Sequence, residues 1–475
     1  MFDQLFIDND FVPPAAGRRF DAVDPATEQR LTTLALADAA DVDRAVRSAH
    51  RAFAHWRRTT PAERTRLLLR AAAVIASRSD EIARLETLDM GKPLRESLAN
   101  VARSVRTFEY AAGATDKLEG QSIPVNARSF NFTHLEPVGV SAHITPWNYP
   151  FANACRSLPV ALAAGCTAVV KPASETCLST LLLGDVLREA GFPPGVVNVV
   201  TGSGSEAGAA LARHPLVRSI TFTGSVGTGQ QVAHAAADHV RPVVLELGGK
   251  NPQIVCADAD LDAALKETVR GAFTNAGQVC TGISRVLVER PIHDRFVEAL
   301  RERVQALTVG PGLDNADLGP LVSAAHRQTV ADYVGLAREE GARLVCGGHV
   351  PPERERGWFY RPTVFDGVRP DMRIAREEVF GPLLVVIPFD TDEQALAIAN
   401  DVEFGLSAGI FTRDLGRAMR FARDVEAGMV WVNEWFQSPV QVPHGGVKRS
   451  GIGREQGFAA FANYLQVKDV AIRFG

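Results

Sequence analysis

From residue 40 to about 120, apolar positions recur three and four apart, the spacing of one helix face. In "ADVDRAVRSAHRAFAHW", Val42, Val46, Ala49 and Phe53 share such a face. "PAERTRLLLRAAAVIASRSDEIARLETLDMGKP" continues the pattern, with Pro61 at a helix start and Gly91 at a stop. After residue 139 the period changes. Short apolar runs ("GVSAHIT", "CTAVVKP", "GVVNVVTG", "SITFTGS", "PVVLELGG") alternate with helical stretches such as "CLSTLLLGDVLREAG" and "VGTGQQVAHAAADH". This alternation predicts an α/β fold, a mostly parallel sheet with helices on both faces and ligands at the carboxyl ends of its strands.

A second α/β region spans about 251 to 445. "DADLDAALKETVRGAF" puts Leu261, Leu265, Val269 and Phe273 on one face, with Asp260 as the N-cap. "FTNAGQVCTGISR" follows, then the strand "SRVLVE". Cys280 therefore lies in a helix-to-strand connection, a common place for reactive groups. "SIPVNARSFNFTHLEPV" (122–138) and "YLQVKDVAIRF" (464–474) alternate like strands but fit neither region. A lone hairpin is marginally stable, so these need a partner: another subunit, or an edge within the chain.

The 475-residue length predicts two or three domains. A formal net charge of -4 argues against a general nucleic-acid or anionic-membrane partner. The opening "MFDQLFIDNDFVPPAAG" has no basic-then-apolar leader, and "SLPVALAAGCTAVV" is too short to span a membrane. The six cysteines, at 155, 166, 177, 256, 280 and 346, form no CxxC or zinc-like spacing. A cytoplasmic protein with free thiols and no metal is expected.

Cys166 and Cys346 lie in apolar runs and read as core. Cys280 sits among Gly277, Gln278, Thr281 and Gly282, a poor apolar wall but a good loop. An ordinary thiol is only about 3% thiolate at pH 7, and no His or Lys lies nearby in sequence, so a base must come from elsewhere in the fold. Glu246 ends the apolar run of "VVLELGGK"; it reads as a buried base of raised pKa or as a capping carboxylate. Asn148 in "ITPWNYP" reads as an oxyanion donor or as a turn residue before Pro150. "FTGSVGTGQ" runs from strand to helix, where backbone N–H groups could face an anion, although its glycines are not the GxGxxG fingerprint. Lys171 in "VVKPASET" suits ribose or phosphate.

"ITPWNYP", "VVKPASET", "FTGSVGTG", "LELGGK", "NAGQVC", "EEVFGP" and "GGVKRSGIGRE" stand in an order and spacing that resembles the aldehyde dehydrogenase superfamily, over residues 5 to 473. The resemblance implies a Rossmann-type cofactor domain (1–121 and 139–249), an α/β catalytic domain (250–450) and a β-arm (122–138 and 451–475) that joins subunits into homodimers or homotetramers. It implies oxidation of an aldehyde with NAD or NADP. Cys280 matches the nucleophile, Glu246 the general base and Asn148 the oxyanion donor, with the amide of Cys280 as second donor. Lys171 matches the adenosine-ribose ligand, Ser225 the pyrophosphate contact and Glu378 the nicotinamide-ribose ligand. Ile144, Thr145, Pro146 and Trp147 belong to the implied cofactor surface. So do Gly204, Gly208, Phe222, Gly224, Gly248 and Phe380.

The departures concern specificity. Where NAD-preferring members carry Glu, this chain has Ser174, with Glu175 one later, so acceptance of NADP is expected. Arg156, on the helix implied to line the substrate tunnel, suits a carboxylate or hydroxyl on the aldehyde, or else a structural ion pair. The second arginine of members acting on succinic semialdehyde is Thr274 here. Trp435 and Phe436 fall at the implied tunnel mouth and suit an aromatic or medium-chain aldehyde. Glu455 keeps a proton-relay place, but Ser157 replaces its usual lysine partner. A CoA-acylating enzyme, which usually lacks the base, and a non-catalytic protein on this scaffold are the alternatives. Joint retention of Cys280, Glu246 and Asn148 argues against both.

Overall fold

The structure, a computed structural model, describes residues 3–474. Residues 1, 2 and 475 of the expected domains lie outside the described residues. The first sheet has eight strands in the order Asp10–Val12, Leu5–Ile7, Val197–Val199, Thr167–Lys171, Val140–Ile144, Val217–Thr223, Val243–Glu246 and Gly451–Ile452. Its central strands are parallel; the N-terminal pair and Gly451–Ile452 close the two edges antiparallel. Side chains alternate between two cores. Ala168 and Val170 pack among the helices Pro61–Ser77, Leu94–Ala114, Pro150–Ala164 and Leu178–Glu189, whereas Val169 faces Ala39–Trp56 and Val226–Ala237. Burial on both faces explains why these strands read as unbroken apolar runs.

The second sheet runs Arg343–Cys346, Thr363–Asp366, Leu383–Phe389, Ile283–Glu289, Asn251–Val255, Ser407–Phe411 and Met429–Val432, parallel except at its first strand. Both sheets follow the α/β expectation. The two orphan segments find each other: Leu465–Arg473 pairs antiparallel with Ser129–Pro137, which pairs with Ser122–Asn126, in a three-stranded sheet. Gly451–Ile452 belongs instead to the eight-stranded sheet, beside Leu245 and Glu246.

Local signals behave as their chemistry predicts. Asp260 caps Leu261–Phe273 by accepting from the Ala263 N–H at 3.1 Å. Thr60 and Glu63 form a reciprocal capping box with Pro61 in the first turn. The periodic stretch from 61 to 90 is two helices, not one, broken at Arg78, whose guanidinium reaches Glu81 and Asp185.

Candidate active site

A cavity of about 440 Å³ opens between the two sheets, at the carboxyl ends of their strands. Cys280, Glu246, Asn148, Arg156 and Glu378 all reach its wall. So do Pro146, Trp147, Gly224, Ser225, Gly248, Phe380 and Phe436.

The chain turns sharply before the thiol. Asn275, Ala276 and Gly277 have φ of 50°, 52° and 74° in succession. A Cβ at 277 would stand 2.1 Å from the Gly381 carbonyl oxygen, so both space and backbone demand glycine. The turn is held by amides. The Asn275 side chain donates to the Asn148 carbonyl at 3.1 Å, and the Asn148 side chain donates to the Gln278 carbonyl at 2.9 Å. Buried Gln278 donates to the Asn275 carbonyl at 3.0 Å and accepts from the Val322 N–H at 3.0 Å. Beyond the thiol, Asn251 donates to the Cys280 and Gly282 carbonyls, each at 2.8 Å. Cys280 itself is half-buried; desolvation pushes its thiol up to about 12, with Arg156 opposing and Glu246 and Glu378 adding to the rise.

Glu246 ends its strand 3% exposed, and its Oε1 has no hydrogen-bond partner. Burial, then repulsion from Glu455, holds this carboxyl well above the usual range, against the pull of Arg156 and Arg454. A carboxyl so raised can take a proton near neutral pH. Arg156 does not stand free in the cavity. It forms an ion pair with Glu455 and donates to the Thr223 hydroxyl at 3.3 Å. Thus Glu455, without the lysine usual at 157, is paired with Arg156. Ser157 instead bonds His143 at 2.7 Å.

The expected cofactor residues divide in two. Near the thiol, Glu378 accepts from the Gly249 N–H at 2.9 Å, and burial pushes its carboxyl up to about 7. A Cβ at Gly248 would lie 2.3 Å from Glu378 Oε2, so glycine there lets the carboxylate pass. Trp147, His326 and Phe380 pack edge to face, with Trp147 to Phe380 centroids 5.2 Å apart. Farther out, Ile144, Thr145, Lys171, Ser174, Glu175, Gly204, Gly208 and Phe222 lie outside this cavity wall. Lys171 ends Thr167–Lys171, buried beside Gly208, and among the described residues its ammonium meets only the Pro172 and Gly202 carbonyls. Buried Thr145 Oγ1 has no partner. Ser225 caps Val226–Ala237, accepting from the Thr228 N–H at 3.4 Å, and lines the cavity at that helix N-terminus. An uncompensated ammonium, an orphan hydroxyl and a helix N-terminus at adjacent strand ends fit a dinucleotide's ribose and phosphates. Ser174 is half-exposed and donates to exposed Glu175 at 3.2 Å.

Trp435 corrects the sequence reading. It is 1% exposed, and its indole N–H donates to the Thr281 carbonyl at 2.9 Å. A large ring on the reactive loop's own backbone is a brace behind the site. The cavity wall is taken by Trp431, whose ring lies 4.9 Å from Trp435, together with Phe436. The sequence reading also missed His444, whose ring is buried, lacks hydrogen-bond partners and has Nε2 3.9 Å from Glu246 Oε2. Burial, then Arg156 and other cations, holds it well below the usual range, so the ring is neutral. It lies just ahead of "GGVKRSGIGRE", with no spacing signal of its own. Asn100, Arg103, Ser104 and Thr107 were missed too, although their spacing places them on one helix face.

The model of the aldehyde dehydrogenase family matches residues 11–470. The hydroxyisobutyraldehyde dehydrogenase of Mycolicibacterium austroafricanum is 43% identical over 469 residues, covering 98% of this chain and 93% of that protein. The NAD+ complex of betaine aldehyde dehydrogenase from Staphylococcus aureus superposes with a TM-score of 0.98 at 38% identity, covering 99% of this chain and 95% of that one. A mutant aldehyde dehydrogenase from Bacillus cereus gives 0.97 at 40% identity, covering 99% and 96%. With Cys280, Glu246 and Asn148 converging on one cavity, the chain belongs to the aldehyde dehydrogenase family and is an NAD(P)-dependent aldehyde oxidoreductase.

Proposed function

We propose that the protein oxidises an aldehyde to its carboxylic acid through a thiohemiacetal and a thioester on Cys280. The observation that carries this is the convergence of Cys280, Glu246 and Asn148 on one cavity. An aldehyde does not readily lose hydride, because an acylium ion would result. Addition of the Cys280 sulfur to the carbonyl carbon gives an alkoxide, which can expel hydride. The thiol proton passes to Glu246, directly or through water. Asn148 uses one amide hydrogen on Gln278; the other, with the Cys280 N–H, holds the alkoxide. Bound NAD(P) supplies the hydride acceptor, held by Glu378 on the near side and by Lys171 and Ser225 on the far side. Glu246 then loses that proton to solvent and takes one from water, which attacks the thioester; the acid is released and this second proton passes to the Cys280 sulfur, restoring the thiol.

The substrate is a semialdehyde or an aromatic or medium-chain aldehyde. Trp431 and Phe436 give its chain an apolar wall. A cationic substrate, such as the betaine aldehyde for which the S. aureus relative is named, would meet Arg103 and be repelled. Both NAD and NADP are accepted, since Ser174 carries no charge. Residues 1–121 and 139–249 hold the cofactor, 250–450 supply the nucleophile, and the sheet of Ser122–Asn126, Ser129–Pro137 and Leu465–Arg473 joins subunits as a homodimer or homotetramer. All six cysteines are unpaired, which fits a reducing cytoplasm. Cys280→Ala should abolish NAD(P)H formation from every aldehyde; retained turnover would refute the assignment.

A further inference from the structure

One cation at the cavity is unmatched. Arg103, on the helix Leu94–Ala114, lines the cavity and forms no ion pair among the described residues. Its Nη2 donates to Ser438 and to Gln456 Oε1, at 2.8 to 3.2 Å. Its Nε and Nη1 have no acceptor among the described residues. Arg156, the other cation of the wall, is already neutralised by Glu455. One turn before Arg103, Asn100 also lines the cavity, and its Nδ2 is buried without a hydrogen-bond partner. A side-chain amide and a guanidinium edge therefore share one helix face, both donors, both unspent. Arg103 is exposed, so water can satisfy its free edge, but its charge at the cavity rim favours an anion, and the buried Asn100 amide nitrogen lacks an acceptor among the described residues.

We propose that Arg103 and Asn100 form an anion subsite that binds a carboxylate at the far end of the substrate, making the preferred substrate an oxo acid. The proposal rests on the aldehyde-oxidising reading above. A carboxylate suits the place better than a phosphate. The free guanidinium edge offers planar, two-point bonding, and Asn100 adds one donor. The neighbouring Ser104 and Thr107 hydroxyls are already donated to the Asn100 and Arg103 carbonyls, at 2.9 and 3.0 Å. They leave few further donors for a dianion. Apolar Trp431 and Phe436 would cover the carbon chain between the two ends.

The test compares succinic and glutaric semialdehydes with butanal and pentanal, their uncharged counterparts, and with glyceraldehyde 3-phosphate. In the wild type, kcat/KM should favour the oxo acids. In Arg103→Ala the ratio of kcat/KM for oxo acid to that for uncharged aldehyde should fall about 10- to 100-fold, mainly through KM, as expected for loss of a charged hydrogen-bonding pair. Arg103→Lys should restore part of the ratio, and Asn100→Ala should lower it less. A purely structural Arg103 would lower both substrates together and leave the ratio fixed, which overturns the proposal. So does a wild-type preference for the uncharged or the phosphorylated aldehyde. Calorimetric binding of the same compounds to Cys280→Ala protein, with and without Arg103→Ala, reads the preference without turnover. Selective binding of oxo acid without oxidation of any aldehyde by the wild type would uphold the subsite and refute the catalytic reading. Binding without selectivity refutes the subsite.

Discussion

The Asn148 side-chain amide donates to the Gln278 carbonyl, two residues ahead of Cys280, at 2.9 Å. Asn148, the proposed oxyanion donor, is thus hydrogen-bonded to the loop that carries Cys280. Asn148→Ala should lower kcat by about 10²–10³, the effect of removing one oxyanion donor. Steady-state kinetics check this; an unchanged kcat would remove the role.

Glu246→Gln should complete the first half of the reaction slowly, with bulk water taking the thiol proton, and then stall. A burst of NAD(P)H equal to the active-site concentration, followed by little turnover, is the expected trace. The wild-type pH profile carries the same information. Glu246 acts as a base only when deprotonated, and burial raises its pKa. Turnover limited by deacylation should therefore fall on the acid side starting well above pH 4.5, the ordinary glutamate value. A limb set at the ordinary value would contradict the assignment.

The Cys280 thiol is pushed up to about 12 without bound cofactor. Its alkylation by iodoacetamide should keep rising with pH, about tenfold per unit, past pH 9. Mass spectrometry of the Cys280 peptide reads the rate, and a plateau below pH 9 would show a thiolate that this geometry does not account for.

Gly277→Ala adds a methyl group that collides with the Gly381 carbonyl at a φ of 74°. Loss of stability of about 1–3 kcal/mol is expected, seen as a lower thermal midpoint together with lost activity. Trp435→Phe removes the bond to the Thr281 carbonyl but keeps much of the packing. It should cost about 1 kcal/mol and change KM less than Trp431→Ala does.

Glu175 accepts from Ser174 at 3.2 Å, which puts a carboxylate beside the residue on which NADP acceptance is proposed to depend. Glu175→Gln should lower KM for NADP more than KM for NAD. Equal changes would separate this carboxylate from the ribose.

The sequence disclosed most where chemistry is local. Asp260 as a cap, Pro61 and Gly91 as helix limits, and the apolar strands ending at Lys171 and Glu246 follow from side-chain and backbone physics at single positions. That Cys280, Glu246 and Asn148 would meet at one cavity was legible because each sits in a contiguous motif. What escaped depends on distant segments. Arg156 could read as a substrate ligand or as an ion pair until Glu455, from the far end of the chain, was folded against it. Trp435 and Phe436 are neighbours in sequence, yet only Phe436 reaches the cavity; an aromatic pair shows no orientation until the loop is closed. His444 and the Asn100–Arg103 face belong to no motif.

The Ser450 hydroxyl donates to the Gly248 carbonyl across 202 residues of chain, and Gly451–Ile452 completes the sheet edge beside Glu246. A ribosome-bound chain can fold its first sheet long before that edge exists. Until then, the strand that ends at Glu246 is an open edge, a template for strand pairing with other nascent chains. Closing that edge, and so protecting it from mispairing, waits for residues made late in synthesis.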